Sequence, residues 1–158
     1  MRATIGVYGW TLDRFLAALD EADVRLLVDV RQRRGVRGSE YAWANAQRLE
    51  ASLADAGIDY RHVKELAPTT DIRQQLYRDD AKRGVKKRAR AELPPEYVEQ
   101  YTSRVLDRAD LESIFTALPA VDTPALFCVE RDPEACHRGL IAARIADERG
   151  VAALHLRP

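Results

Sequence analysis

The sequence predicts an α/β protein: a three-layer αβα, Rossmann-like domain around a mostly parallel sheet of about five strands, with a helical insertion. Three observations predict it. Short apolar runs alternate with segments of helical period along the chain, the pattern of strands joined by covering helices. Residues 25–30 (Arg-Leu-Leu-Val-Asp-Val) are almost continuously apolar, as a strand buried on both faces must be. The chain has 158 residues without a repeat or low-complexity linker, which suits one domain of about 100–200 residues spanning residues 1–158.

Each element has its own signal. Residues 3–7 read as the first strand, closed by Tyr8-Gly9. Thr11 is an N-cap residue type, and Leu12, Phe15, Leu16 and Leu19 then follow at the spacing of one helix face. Residues 25–30 are the second strand. A helix over residues 43–56 presents Ala46, Leu49 and Leu53 on one side, with Gly57 as its C′ residue. Residues 58–63 alternate and form the third strand. Residues 64–105 read as an insertion over one end of the sheet, with too few large apolar residues for a core of their own. A helix is expected over residues 72–82, and helical spacing returns at Tyr97, Tyr101 and Val105. Leu111, Ile114, Phe115 and Leu118 make a further helical stripe. Residues 124–129 are the fourth strand. A last long helix starts near residues 133–136 and ends at Gly150, and residues 151–156 are the fifth strand.

Composition bounds the function. An apolar fraction of 46% and a charged fraction of 32% describe an ordinary globular chain. The formal net charge is zero, so a phosphate or nucleic-acid partner must be attracted by a local patch. Two cysteines are no disulfide framework; they predict free thiols in a reducing, cytoplasmic setting. Neither a signal-peptide core nor an apolar run near 18 residues is present, so neither export nor a membrane span is expected.

In open α/β sheets ligands bind beyond the carboxyl ends of the strands. Three ends carry chemistry here: Gly6-Val7-Tyr8-Gly9, Asp29-Val30-Arg31 and Cys128-Val129-Glu130. If these strands are neighbours, Gly6, Tyr8, Gly9 and Arg31 join a carboxylate and a thiol around one cleft. Period-two alternation puts Cys128 and Glu130 on one side of their strand end. Pro133 suits a first helical position, so Cys136, His137 and Arg138 fall in or just after the first helical turn. Unpaired N–H groups and the positive dipole end there favour anions, including a thiolate, and Arg138 or protonated His137 lowers a thiol pKa further. Two functional readings remain open: an activated Cys136 thiol, or a phosphate or carboxylate cradle with Arg138 as bidentate donor. A third reading makes both cysteines small buried apolar residues.

The string Cys128-x-Glu130-x-Asp132-Pro133-x-x-Cys136-His137-Arg138 resembles the signature of the domain of unknown function 488 family. Thr4-Ile5-Gly6 with Gly9 and Thr11 is similar to that family's opening, Leu27-Val28-Asp29-Val30-Arg31 to its second-strand motif, and Gly57-Ile58-x-Tyr60 with Leu66 to its middle stretch. The chain departs from the family pattern at residues 32–37, which replace a proline followed by Ser-Arg, and at residues 67–69, which replace a glycine-rich turn. The resemblance implies that Asp29, Arg31, Cys128, Glu130, Cys136, His137 and Arg138 act together. Some members of that family carry a DNA-repair label.

Other features admit plainer readings. Arg31, Arg33, Arg34 and Arg37 crowd one loop, and six basic residues crowd residues 82–90. They read as solvated faces or as a phosphate-backbone track interleaved with Tyr41, Trp43 and Tyr77. The C-x7-C-H spacing of Cys128, Cys136 and His137 is not that of paired structural zinc ligands, and no metal is expected. Gly6-x-x-Gly9 is too short for a dinucleotide fingerprint, so no cofactor is expected. His62, His155 and the Tyr97/Tyr101 pair read as packing or hydrogen-bonded residues.

The leading expectation is an enzyme acting on a phosphate-bearing substrate, a nucleotide or nucleic acid. Cys136 is its nucleophile or binding thiol, Arg31 and Arg138 hold the anion, and Glu130, Asp29 or His137 transfers the proton. The alternatives are a non-catalytic nucleic-acid-binding module associated with DNA repair or modification, and a redox-responsive protein using Cys128 and Cys136.

Overall fold

A computed structural model describes residues 1–118 and 123–158. Five strands, β1 (Ala3–Ile5), β2 (Leu26–Asp29), β3 (Asp59–His62), β4 (Pro124–Phe127) and β5 (Leu154–His155), form one sheet in the order β3-β2-β4-β1-β5. Every pairing is parallel. Parallel neighbours need crossovers, and among the described residues six α-helices supply them: α1 (Leu12–Glu21), α2 (Ala46–Asp55), α3 (Thr70–Lys82), α4 (Pro95–Arg104), α5 (Leu111–Thr116) and α6 (His137–Arg149). The architecture is three-layer α/β.

The strands are shorter than the apolar runs that encode them. The runs of β1, β2 and β4 continue past their ladders into the turns that enter the site, so Val7, Val30 and Val129 are buried without being strand residues. Those turns stay tied to the sheet: the amides of Val7 and Tyr8 donate to the Val129 carbonyl at 2.9 and 3.1 Å, and Val30 donates to Phe127 at 3.1 Å. Strands β1 and β2 are buried along their length, whereas edge strand β5 is exposed.

The caps follow local chemistry. Thr11 accepts from the Arg14 amide at the start of α1, and Gly57, at φ +71°, closes α2. The stretch before α2 is a 3-10 turn, Ser39–Ala44, rather than part of the helix, because Asn45 is extended and its side chain accepts from the Val36 amide.

Residues 64–105 pack onto the sheet layer. Leu66, Ile72, Leu76, Tyr97 and Tyr101 belong to the same buried apolar cluster as the strands. α4 lies against α6, which in turn covers β1 and β4. The Tyr97 and Tyr101 rings stack at 6.1 Å, and the Tyr101 hydroxyl donates to the Leu66 carbonyl at 2.7 Å. Among the described residues no helix is long and apolar enough to cross a membrane.

This strand order decides where a site can form. After β2 the chain leaves toward β3, and after β4 it leaves the opposite way toward β5. The adjacent carboxyl ends of β2 and β4 are therefore a topological switch point, where connections diverge and leave a crevice.

Candidate functional site

The crevice is a cleft of about 980 Å³, near the upper end of the size usual for small-molecule sites. Tyr8 lines it from the end of β1, Arg31, Gln32 and Arg33 from β2, and Cys128, Val129 and Glu130 from β4. His137 closes the floor from the first turn of α6. The far wall comes from the segment read as an insertion: Arg73, Tyr77 and Tyr97 from α3 and α4, and Lys86, Lys87 and Arg88 from the basic run between them. Glu130 is the only carboxylate among the described lining residues.

The basic run is thus a wall rather than a free face. Arg88 ion-pairs with Glu40 at 2.6 Å, and its guanidinium lies 5.3 and 5.0 Å from the Tyr8 and Tyr41 ring centres. Arg73 and Lys87 lie over Tyr77 at 5.6 and 5.7 Å. Burial works against the Lys87 ammonium, but the charge of Glu130, and after it the ionisable groups of Tyr77, Tyr8 and Cys128, outweigh it and raise its pKa. Lys87 therefore stays charged. Arg33, Arg37 and Lys86 have no carboxylate within ion-pair distance among the described residues.

Arg90 and Asp80 were not singled out by the sequence, yet they position the floor. Arg90 is buried, chelates Asp80 of α3 through Nε and Nη2, and reaches Glu130 Oε1 through Nη1 at 3.4 Å. A buried arginine with two carboxylates holds the Glu130 side chain from one side. The only signal in the sequence was the basic run itself, and charge alone does not tell its one inward member from the rest.

The floor is a compact cluster. Cys128 Sγ, Cys136 Sγ and one ring nitrogen of His137 all lie within 4.8 Å of one another. His137 Nδ1 is 3.9 Å from Cys128 Sγ and 3.8 Å from Cys136 Sγ. Its Nε2 meets the Val30 carbonyl at 2.9 Å. A carbonyl can only accept, so Nε2 carries a proton and Nδ1 faces the sulfurs. Glu130 Oε2 stands 3.7 Å from Cys128 Sγ. Cys136 is the N-cap residue of α6, so its sulfur sits at the positive end of that helix.

The two thiols differ. Cys128, His137 and Glu130 line the cleft, whereas Cys136 lies behind them, 2% exposed, against a smaller hollow that includes Leu93, Val98 and Leu140. Burial pushes the Cys136 thiol up, but contact with the Cys128 thiol and the charges of His137 and Arg138 outweigh it and hold it well below the ordinary thiol range. Cys128 moves the other way, first through burial and then through the neighbouring Cys136 sulfur. Burial and Cys136 also raise the Glu130 carboxyl. For His137 burial works downward, and the Cys136 thiolate outweighs it. The two thiols are thus pushed apart, Cys136 toward the thiolate and Cys128 toward the protonated form.

Arg138 is fully buried and takes no ligand-facing position. Its Nη1 donates to the Glu130 carbonyl at 2.6 Å and its Nη2 to the Arg131 carbonyl at 2.9 Å. Its Nε has no partner among the described residues. It shapes the turn after β4 and adds positive potential behind Cys136. Gly6 serves the same turn: a Cβ there would stand 1.9 Å from the Glu130 carbonyl oxygen, so only glycine allows the close approach. Gly9 donates its amide to the Tyr41 hydroxyl at 3.0 Å and does not line the cleft.

Asp29 and Arg31 form a closed pair. Arg31 Nε and Nη2 meet both Asp29 oxygens at 2.7–3.0 Å, Nη1 donates to the Ala44 carbonyl at 2.9 Å, and the guanidinium covers the Phe127 ring at 4.6 Å. The Tyr60 hydroxyl donates to the same carboxylate. With 0% exposure and every oxygen engaged, Asp29 orients Arg31 and does not meet the cleft. His62 and His155 are hydrogen-bonded to the Arg31 carbonyl and the Thr4 hydroxyl, each at 2.8 Å.

A family model described as "Domain of unknown function DUF488" matches residues 11–145, and the chain belongs to that family. No curated protein and no solved structure matches it.

Proposed function

We propose, taking membership of the DUF488 family as the premise, that this chain is an enzyme acting on a phosphate-bearing substrate, a nucleotide or nucleic acid. One observation carries the reading: the cleft at the switch point sets Arg33, Arg37, Arg73, Lys86 and Lys87 around a thiol–imidazole–carboxyl floor with a single acidic side chain. Positive walls in a concave site concentrate polyanions, and the local patch answers the zero net charge of the whole chain.

The basic side chains hold the phosphate, and Tyr77, the exposed tyrosine of the cleft, offers its ring to a base. Cys128 is the sulfur that meets the substrate. The side chain of Cys136, behind it, accepts its proton as the sulfur attacks the substrate phosphorus, and the His137 ring beside both sulfurs steadies the charge. Glu130, whose carboxyl burial shifts toward the protonated form, gives a proton to the oxygen that departs as the phosphorus–oxygen ester bond breaks. Asp29 and Arg138 act through what they position.

The test is a calorimetric titration of the reduced chain with AMP, ATP and a short single-stranded oligonucleotide at low and high salt. The expected result is saturable binding that weakens with salt. Absence of heat from all three at low salt overturns it. Turnover of a bound ligand that survives both Cys128→Ser and Cys136→Ser removes the thiols from the chemistry.

A second reading, a nucleic-acid-binding module without catalysis, is favoured by the layering of Arg88 against Tyr8 and Tyr41 and of Arg73 and Lys87 over Tyr77. It predicts oligonucleotide binding that thiol alkylation leaves unchanged.

A further inference from the structure

The geometry points to a transition-metal site of the zinc class at the cleft floor, with Cys128, Cys136 and His137 as three ligands and the fourth position open toward the cleft.

The distances carry it. A zinc ion takes sulfur at about 2.3 Å and imidazole nitrogen at about 2.0–2.1 Å in a tetrahedron, which sets a sulfur and a nitrogen on one ion roughly 3.6 Å apart. The two observed S···Nδ1 separations are 3.9 and 3.8 Å. All three donor atoms fall within 4.8 Å of one another, so small side-chain shifts complete the three ligands. The sequence spacing argued against paired zinc loops; here the fold brings a strand end and a helix start together instead.

The ring is set up as a ligand. Nε2 is anchored on the Val30 carbonyl at 2.9 Å, which turns Nδ1 to the sulfurs; such an anchor is the usual companion of a metal-bound histidine. A carboxyl group stands beside the open fourth position. Arg90 holds Oε1 of Glu130, and Oε2 stands on the Cys128 side at 3.7 Å. Cys128, His137 and Glu130 line the cleft, so an ion has an access route. Two sulfurs and an imidazole select zinc-class ions over magnesium or calcium. Arg138 opposes a cation, and the two sulfurs, bound as thiolates, offset it.

The consequence for regulation rests on the thiol chemistry proposed above; the metal site does not. A sulfur that donates its lone pair to an ion is no longer a free nucleophile, so the loaded form is silent in thiol chemistry.

The experiment titrates the full, reduced, chelator-treated chain with Co²⁺. The expected result is one equivalent bound, with a thiolate-to-cobalt charge-transfer band and the strong visible bands of a tetrahedral ion, both displaced by Zn²⁺. Cys128→Ala, Cys136→Ala and His137→Ala each weaken binding by more than the roughly 10–100-fold that losing an orienting group alone brings. Should those variants misfold, wild type decides: one equivalent of Zn²⁺ protects both cysteines from maleimide. A folded chain with both thiols reduced and no charge-transfer band, or labelling indifferent to Zn²⁺, overturns the site. ATP binding without metal binding defeats this inference alone; metal binding without any phosphate ligand defeats the functional reading alone.

Discussion

His137 Nε2 meets the carbonyl of Val30 at 2.9 Å, a contact that fastens the first turn of α6 to the end of β2 across the floor of the cleft. Both groups are buried. Replacing His137 with alanine leaves that carbonyl without its donor and opens a void beside Tyr101, whose ring lies 5.3 Å away. An orphaned buried acceptor costs about 1–3 kcal/mol. We expect His137→Ala to lower the urea midpoint by a corresponding amount with an unchanged m-value, and an unaltered midpoint would remove the fastening role.

The Asp29–Arg31 pair predicts a larger loss. Asp29→Asn strips the charge from the partner of a fully enclosed guanidinium, and breaking a buried pair from one side costs about 3–5 kcal/mol. Removing both charges, as in Asp29→Asn with Arg31→Met, is expected to cost less than the single change. Urea unfolding of the two variants checks the order.

Tyr60 gives a pH signature. Burial, and then the Asp29 charge, push its hydroxyl from 10.0 up to about 12. Between those values the unfolded chain has released a proton that the folded chain keeps. The stability this contributes is therefore full below pH 10 and is lost as the pH rises toward 12. Denaturation midpoints should fall over that window for the wild type and fall less for Tyr60→Phe. Phenolate absorbance of Tyr60 appearing at the ordinary pH of tyrosine contradicts the buried hydrogen bond.

Gly6 fits only as glycine. A methyl group at this position would come within 1.9 Å of the Glu130 carbonyl oxygen and must displace the turn that carries Glu130. Overpacking of this kind costs about 1–3 kcal/mol. Gly6→Ala should lower stability by that order and weaken ligand binding in the cleft as well, measured by thermal unfolding and calorimetry on one sample.

The basic wall predicts an additive salt effect. If Lys86 and Arg33 meet phosphates of a bound oligonucleotide, each change to alanine lowers affinity and reduces the slope of log K against log salt by about 1. Equal slopes for wild type and both variants would remove those contacts.

Most of the architecture was legible in the sequence because it depends on short-range periodicity. The apolar run at residues 25–30, the Thr11 cap, Gly57 and Gly150 after their helices, and the stripe in α1 each act within a few residues, and the structure keeps all of them. Cys128-x-Glu130 and Cys136-His137-Arg138 were legible as chemistry, since a strand end and a helix start place such groups in predictable surroundings.

What only the tertiary structure decided was which groups face one another. Insertion of β4 between β2 and β1 is a long-range choice, and it creates the crevice and sets His137 against Val30. The same choice closes Asp29 on Arg31, turns Arg138 onto two backbone carbonyls, puts Cys128 rather than Cys136 in the cleft, and draws Arg90 inward to Glu130. Side-chain type sets what a group can do, but burial and partners, which arise only when distant segments pack, decide which of those capacities remain.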